Sequence, residues 1–213
     1  MSASRQVLKA YTQIMIKRFF DIFFSFLGVL ILLPFFLIIS LFILIDSRGK
    51  AIYLQKRVGK DNQDFYLIKF RTMISEADKK GLLTIGNKDA RITKMGHFLR
   101  KFKIDEFPQL INVLKGDMSI VGPRPEVRKY VNMYNEEQKK VLVVRPGITD
   151  YASIKYFHEN ELLGKVENPE QIYISEVMPA KLKINLEYVR DQKLGNDFKI
   201  IFMTILKIVA KPN

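Results

Sequence analysis

The chain contains no cysteine. Disulfides, thiolate nucleophiles and cysteine-ligated zinc are therefore excluded. Histidine is nearly as scarce, with His97 and His158 alone. That weighs against a histidine-rich metal site or a metalloprotease. A Ser-His-Asp triad would have to use one of these two, and neither lies in a recognisable nucleophile context. Charge is missing from one long stretch: Ile22 to Ile45 holds no acidic or basic residue. Internal repeats and low-complexity tracts are absent as well. An active site in this sequence must be assembled from carboxylates, lysines and arginines.

What is abundant is positive charge. The formal net charge is +13 over 213 residues. Arg5, Lys9, Lys17 and Arg18 against Asp21 give +3 in the first 45 residues, and the 31 basic and 21 acidic residues beyond them give +10. A basic domain beside an apolar segment points to anionic partners: lipid headgroups, phosphates or nucleic acid. The cations form no continuous stripe and none of the usual nucleic-acid motifs is present, so no nucleic acid is expected.

Phe19 to Ile45 is the expected membrane anchor. Its uncharged part, Ile22 to Ile45, has 24 residues. A straight helix of that length is about 36 Å long, enough for a hydrocarbon core of ~30 Å. Asp46-Ser47-Arg48-Gly49-Lys50 follows where a signal peptide would carry a small-residue cleavage site. Pro34 lies mid-run and favours a kink. Basic residues flank both ends, with Arg48, Lys50, Lys56, Arg57 and Lys60 on the far side, whereas a spanning helix is expected to show asymmetry. Two topologies fit: an ordinary span, or a helix-break-helix that enters and leaves by one face.

Ala51 to Arg57 and Phe65 to Arg71 read as strands around the turn-forming Gly59-Lys60-Asp61-Asn62, a hairpin. Ile74 to Lys80 and Ile92 to Lys101 read as helices, with Gly81 to Asp89 a loop between them. Phe107, Leu110, Ile111 and Leu114 recur at helical spacing, with Pro108 suited to the first turn and Gly116 to the stop. The VGPRPEV segment is a stiff loop, because Pro123 and Pro125 restrict the backbone on both sides of Arg124. A second helix is expected over Glu126 to Lys140. Arg145-Pro146-Gly147 is expected to be a tight turn, with Gly147 free to take positive φ. His158 to Pro169 is polar and acidic, a surface loop. Met178 to Arg190 and Asp197 to Lys211 read as helices, the latter apolar enough to lie at a membrane surface.

Asp105 and Glu106 fall at or just before a helix N-terminus. An acidic pair there commonly caps the helix and offsets its dipole. The same place offers N–H groups to phosphate. A carboxylate there can attack phosphorus or hold Mg²⁺ for a phosphoryl group, and its neighbour can transfer protons. On the residues alone both readings stand. Arg124, fixed between prolines, loses little entropy when it grips a phosphate. Lys69 and Arg71 in KFRTM project from one strand face, opposite Phe70. Arg100 lies on a basic helix face and Arg145 before a turn. Asp117 reads as a turn residue and His97 as a surface or packing residue. Together these side chains describe a site that handles phosphate.

Along the chain come an apolar segment with a mid-run proline, then QKRVG, FYLIKFRTM, KIDEFPQLINVLKGDMSIVGPRPE and RPGIT. This order resembles the bacterial sugar transferases, the monotopic phosphoglycosyl transferases that begin lipid-linked glycan synthesis. The resemblance runs from about Lys17 to Thr149 and less distinctly to the C-terminus. It implies transfer of a sugar phosphate from a UDP-sugar to polyprenyl (undecaprenyl) phosphate, with release of UMP. Mg²⁺ and a covalent phosphosugar-enzyme intermediate are implied with it, as the first membrane step of capsule, O-antigen, exopolysaccharide or glycoprotein glycan synthesis. The family's nucleophile, and with it the metal contact, falls on Asp105, its paired carboxylate on Glu106, and its cations on Lys69, Arg100 and Arg124. Arg145 matches the family's Arg-Pro-Gly turn, and Arg71 joins the set by its place on the strand.

The resemblance also matches Pro34 to the break of a re-entrant helix. The expected fold is α+β and mostly helical: an N-terminal re-entrant membrane helix in residues 1–48, then a small catalytic domain in 49–213 with a short β-hairpin and membrane-interface helices. The expected location is the cytoplasmic face of the bacterial inner membrane, with membrane lipids as partners, and the resemblance is compatible with a homodimer. Two departures stand out. Leu33 precedes Pro34 where Ser-Pro is common. RPGIT continues Asp150-Tyr151-Ala152-Ser153 where many members have Gly-Trp-Ala-Gln, which leaves the donor sugar unassigned. The extra spanning N-terminal domain of larger members is missing, so the minimal catalytic form is expected. Intact Asp105, Glu106 and Arg124 argue against an inactive scaffold.

Overall fold

In the computed structural model, which describes residues 3–75, 77 and 89–210 (side chains from Thr12 on), the apolar run is part of one helix, α1, Ala3–Asp46. The part from Thr12 to Asp46 is long and apolar enough to cross a membrane. The expected break at Pro34 is not an unwinding. The helix runs through it, because a proline removes a single donor and its ring favours a bend that the flanking turns tolerate. The helix expected at Ile74 to Lys80 and the loop at Gly81 to Asp89 lie largely outside the described residues.

Both ends of α1 are fastened to the same folded unit. Near its start, Lys17 pairs with Asp197 at 2.6 Å. Arg18 donates to the carbonyls of Leu114 and Met118 at 3.3 and 3.4 Å, and Asp21 accepts from the Ile120 N–H at 3.0 Å. At its end, the Arg71 guanidinium donates to the carbonyls of Ile43, Ser47 and Arg48. These include carbonyls that a helix C-terminus leaves unpaired. Asp46 accepts from the Met95 N–H at 2.9 Å. Between the ends, Phe36 packs edge-on to Phe70 with centroids 5.4 Å apart.

The hairpin forms one residue out of the expected frame: β1, Ile52–Val58, pairs antiparallel with β2, Asp64–Phe70. Asp61 and Asn62 take positive φ in its turn, which these short polar side chains tolerate. Helix α2, Lys94–Lys101, is capped by Thr93, whose Oγ1 accepts from the Gly96 N–H at 3.0 Å. Helix α3, Gln109–Lys115, ends at Gly116 in the left-handed region. Its buried face is not the apolar stripe. Gln109, Asn112 and Val113 are buried, whereas Leu110 of the stripe lies against Gly28 of α1 and Phe107 is exposed. Asn112 ties α3 to β2: it accepts from the Ile68 N–H at 2.9 Å and donates to the Tyr66 carbonyl at 2.7 Å.

Strand β3, Ser119–Val121, and the later β4, Gly147–Thr149, pair in parallel. Gly147 does not take positive φ as expected from a tight turn. Its requirement is proximity: a Cβ there would lie 2.1 Å from the Gly122 nitrogen, and one on Gly122 would lie 2.5 Å from the Arg145 carbonyl oxygen.

The helix expected over Glu126 to Lys140 is split. Helix α4, Arg128–Val131, stops early, and a 3-10 run, Gln138–Val143, follows. Between them Asn135 and Gln138 exchange side-chain to backbone hydrogen bonds at 2.8 and 3.0 Å, the competition that polar side chains offer a helix. Helices α5, Tyr151–Lys155, and α6, Glu159–Leu163, come next. The second lies inside the expected loop because Leu163 anchors it in the core at 1% exposure. Helix α7, Pro169–Ile172, leads through a π turn into α8, Met178–Arg190, at its expected bounds. Helix α9, Leu194–Val209, exposes Phe198, Phe202, Ile205, Leu206 and Val209, and meets α1 through Phe20 and Phe198. The main core joins Val58, Tyr130, Val141, Leu163, Tyr173 and Leu182.

The Gly122–Gly147 approach can be tested directly. Gly147→Ala should destabilise the protein by about 2–3 kcal/mol, since the neighbour it meets is backbone and cannot rotate away. Thermal unfolding in detergent should show a midpoint lower by several degrees, and an unchanged midpoint would contradict the packing described.

Candidate active site

Asp105 and Glu106 sit on a 3-10 turn, Ile104–Glu106, between α2 and α3. Lys103, at φ 57°, reverses the chain into this turn. Pro108 opens α3, where its missing N–H costs nothing. Neither carboxylate caps α3, which has no side-chain cap. The capping reading of the acidic pair therefore has no hydrogen bond to support it.

Both carboxylates are buried, at 8% and 9% exposure. A buried charge needs a partner, and the two residues differ in having one. Arg124 spans both oxygens of Glu106, with Nη1 donating to Oε2 at 3.2 Å and Nη2 to Oε1. Lys69 Nζ lies 3.8 Å from the same Oε1. Burial works to raise the pKa of Glu106, but Arg124, then Lys69 and Lys103, hold it well below the usual carboxylate range. Asp105 has no such clamp. Its Oδ1 is buried and makes no hydrogen bond. Burial first, and Glu106 second, push its pKa above the usual range against the pull of Lys69, Lys103 and Arg100. Burial also brings the Lys69 ammonium down to about 8, with Glu106 opposing. Two neighbouring carboxylates are thus driven apart by their surroundings, the condition for different chemical roles.

The cations reach this site from separate elements. Lys69 comes from β2. Arg100 comes from α2, where its Nε donates to Thr72 Oγ1 at 2.8 Å. Arg124 comes from the proline loop, whose backbone is fixed by the Arg124 N–H donating to Asp150 Oδ2 at 2.9 Å. Two expected members are elsewhere. Arg71 lies just past β2 and closes the end of α1. Arg145 donates from Nε to the Gly116 carbonyl at 2.9 Å, at the opposite end of α3 from the acidic pair. Sequence reasoning missed Lys103, Thr72 and Asp150. Asp150 was findable, since an Asp immediately before a helix is an N-cap signal and it caps α5. Lys103 and Thr72 lie within the KIDEF and KFRTM runs, but neither carries a signal of its own there.

The model of the bacterial sugar transferase family matches residues 12–211. The chain belongs to the bacterial sugar transferases. It is 34% identical to the UDP-N-acetylgalactosamine-undecaprenyl-phosphate N-acetylgalactosaminephosphotransferase of Aeromonas hydrophila, over 92% of this chain and 44% of that protein. It is 35% identical to the UDP-glucose:undecaprenyl-phosphate glucose-1-phosphate transferase of Escherichia coli (strain K12), over 91% of this chain and 40% of that one. Identity is also 35% to the exopolysaccharide production protein PSS of Rhizobium leguminosarum bv. phaseoli, with 93% and 97% covered. The chain therefore spans less than half the length of the first two relatives and nearly all of the third.

Lys69 gives a pH prediction. A lysine with a pKa of about 8 is charged below that pH and neutral above it, so its attraction for an anion in the site weakens as pH rises through 8. Affinity for sulfate, used as a non-titrating anion probe, should fall by about tenfold, the worth of one charge-assisted contact. In Lys69→Arg the fall should vanish, because a guanidinium does not titrate there. Parallel pH profiles by calorimetry for the two proteins would assign the titration to another group.

Proposed function

We propose that this protein is a membrane-associated phosphoglycosyl transferase. It moves a sugar-1-phosphate from a UDP-sugar to a polyprenyl phosphate and releases UMP. The supporting observation is the division within the buried acidic pair: Glu106 is locked to Arg124, while Asp105 keeps an oxygen with no partner. Relatives named as undecaprenyl-phosphate sugar phosphotransferases agree with this reading.

Asp105 attacks the phosphorus that carries the sugar. The bond from that phosphorus to the bridging oxygen breaks, and its electron pair leaves with UMP. The sugar phosphate is then held as an acyl phosphate on Asp105. A phosphate oxygen of the polyprenyl acceptor attacks the same phosphorus, the bond to Asp105 breaks, and the carboxylate is restored as the polyprenyl-diphospho-sugar departs. Lys69, Arg100 and Arg124 offset charge on the phosphoryl oxygens. Glu106, held ionised by its partners, acts as a positioning residue for Arg124 and Lys69 rather than as a proton donor.

The residues present fit Mg²⁺ in its usual mode, one or two carboxylates with substrate phosphates completing the shell. Asp105 Oδ1 is available, and among the described residues no cluster of three acidic or histidine side chains offers a self-sufficient cage. When bound, the ion supplies charge neutralisation to the diphosphate.

The seating of α1 supports the re-entrant topology. Lys17 and Asp46 are about 44 Å apart on a straight helix, well beyond a core of ~30 Å, yet both bond to one domain. A straight span would carry the polar residues packed along α1 through hydrocarbon. A helix that bends at Pro34 and returns keeps both basic ends, and the domain, on the cytoplasmic side.

Asp105→Asn should lower UMP release by about a thousandfold or more, as loss of a nucleophile does, and chelation of divalent metal should stop release by the parent protein. Near-full turnover by Asp105→Asn would remove the nucleophile assignment. For topology, a cysteine at Ser2 should be labelled by an impermeant reagent from the cytoplasmic side of inverted vesicles. Labelling from the opposite side alone would establish a span.

A further inference from the structure

Phe157, between α5 and α6, links the acidic turn to the last helix. The Lys103 ammonium lies 5.6 Å from the centre of its ring, and the Lys207 ammonium of α9 lies 5.9 Å from the same centre. An ammonium within about 6 Å of an aromatic ring is drawn to its face. One ring thus gathers a cation from the turn that carries Asp105 and a cation from the helix with the exposed apolar row. The Lys103 carbonyl accepts from the Glu106 N–H at 3.2 Å, which fixes its backbone to the turn. Its charge acts on Asp105 and Glu106. Among the described residues, however, neither Lys103 nor Lys207 forms an ion pair with a carboxylate.

Two ammonium groups on one ring repel each other, and the ring attracts them without neutralising them. An anion does neutralise them. A phosphate monoester carries about −1.5 to −2 near pH 7, a match for two single positive charges, whereas a phosphodiester headgroup carries about half of that. The surroundings select the source. Lys207 is exposed on α9 beside exposed Ile205, Leu206 and Val209, and the acidic turn lies between exposed Phe102 and Phe107. A phosphate on a long apolar tail finds apolar surface next to each cation. A soluble nucleotide gains nothing from either surface.

We propose that Lys207 and Lys103, gathered by Phe157, receive the phosphate of the lipid acceptor, Lys207 where it arrives along α9 and Lys103 beside Asp105. Phe157 is a positioning residue for both. The inference rests on the proposed transferase reaction and adds an acceptor site to it. Lys69, Arg100 and Arg124 come to the acidic pair from β2, α2 and the proline loop and serve the donor. Drawing donor and acceptor with different cations suits a transfer in two steps, since the acceptor must reach the phosphosugar without displacing the groups that hold it.

The test uses the full chain in detergent micelles, so that attachment to a bilayer does not enter, with a panel of UDP-sugars as donors and polyprenyl phosphate as acceptor. Lys207→Gln changes an exposed side chain and should fold normally. It should raise KM for the acceptor about fivefold, the worth of one basic residue near an anionic headgroup, and leave KM for the donor within about twofold. Lys207→Arg keeps the charge and the attraction to the ring, and should restore the acceptor KM. Phe157→Leu removes the ring alone and should raise the acceptor KM in the same way. Phosphatidylglycerol at the acceptor's mole fraction should leave the acceptor KM of the parent unchanged. An unchanged acceptor KM in folded Lys207→Gln overturns the proposal. An equal rise in donor KM also overturns it, by assigning the lysines to the nucleotide diphosphate, and competition by phosphatidylglycerol as strong as the acceptor's own binding overturns it in favour of bilayer phospholipid. In each of these cases an active parent leaves the transferase reading standing. If the parent releases UMP from no UDP-sugar, that reading falls, and this assignment with it.

Discussion

Glu106 has both oxygens engaged by Arg124, and this one ion pair fastens the turn that carries Asp105 to the proline loop. Losing Arg124, itself half-buried, would leave Glu106 a buried charge without its main partner. The loop is in turn placed by backbone. Its Arg124 N–H is held by Asp150, and its entry follows β3, which is pressed against β4 where Gly122 and Gly147 meet without side chains. Strand β3 is also where Asp21 of the membrane helix takes the Ile120 N–H. A continuous set of contacts therefore runs from α1 to the guanidinium beside the acidic pair. The depth of the helix and the position of the site are set together.

The acidic pair and Arg124 were legible because their chemistry is local. Adjacent carboxylates, and an arginine between prolines, announce themselves at any position in a fold. Arg71 and Arg145 were not. Strand alternation gives the side on which Arg71 projects, but not that the C-terminus of α1 stands there with open carbonyls. Arg145 next to a Pro-Gly pair says nothing of Gly116, which meets it only in the folded chain. Gly147 shows the same limit: its need for no side chain was readable, but its cause is a second backbone and not its own φ. Helix α3 misled in another way. Its apolar stripe is real, yet it turns partly toward α1, while polar Gln109 and Asn112 face the domain. A periodicity argument assumes one apolar surrounding, and here there are two.

The apolar surface of the protein follows from the same geometry. The exposed side of α1 and the row Phe198, Phe202, Ile205 and Val209 on α9 join at the Phe20–Phe198 contact. Exposed apolar area on this scale marks a membrane or partner surface in a stable protein. For the proposed transfer to a lipid phosphate, the surface and the site must be held at fixed separation. The ties of Lys17, Arg18, Asp21 and Asp46 to the domain provide that.

Electrostatics around Asp105 explain why the cations alone are not enough. Lys69, Arg100, Lys103 and Arg124 act on two carboxylates, an excess of positive charge suited to a diphosphate. Even so, burial outweighs those cations and leaves the Asp105 carboxyl harder to ionise than usual. A diphosphate drawn in beside it adds negative charge and pushes in the same direction, toward the protonated form that cannot attack phosphorus. In the proposed reaction, the charge that binds the donor would thus disarm Asp105 unless something further offsets it. A divalent cation held by Asp105 would offset that conflict, which is the physical reason for including one in the proposed reaction.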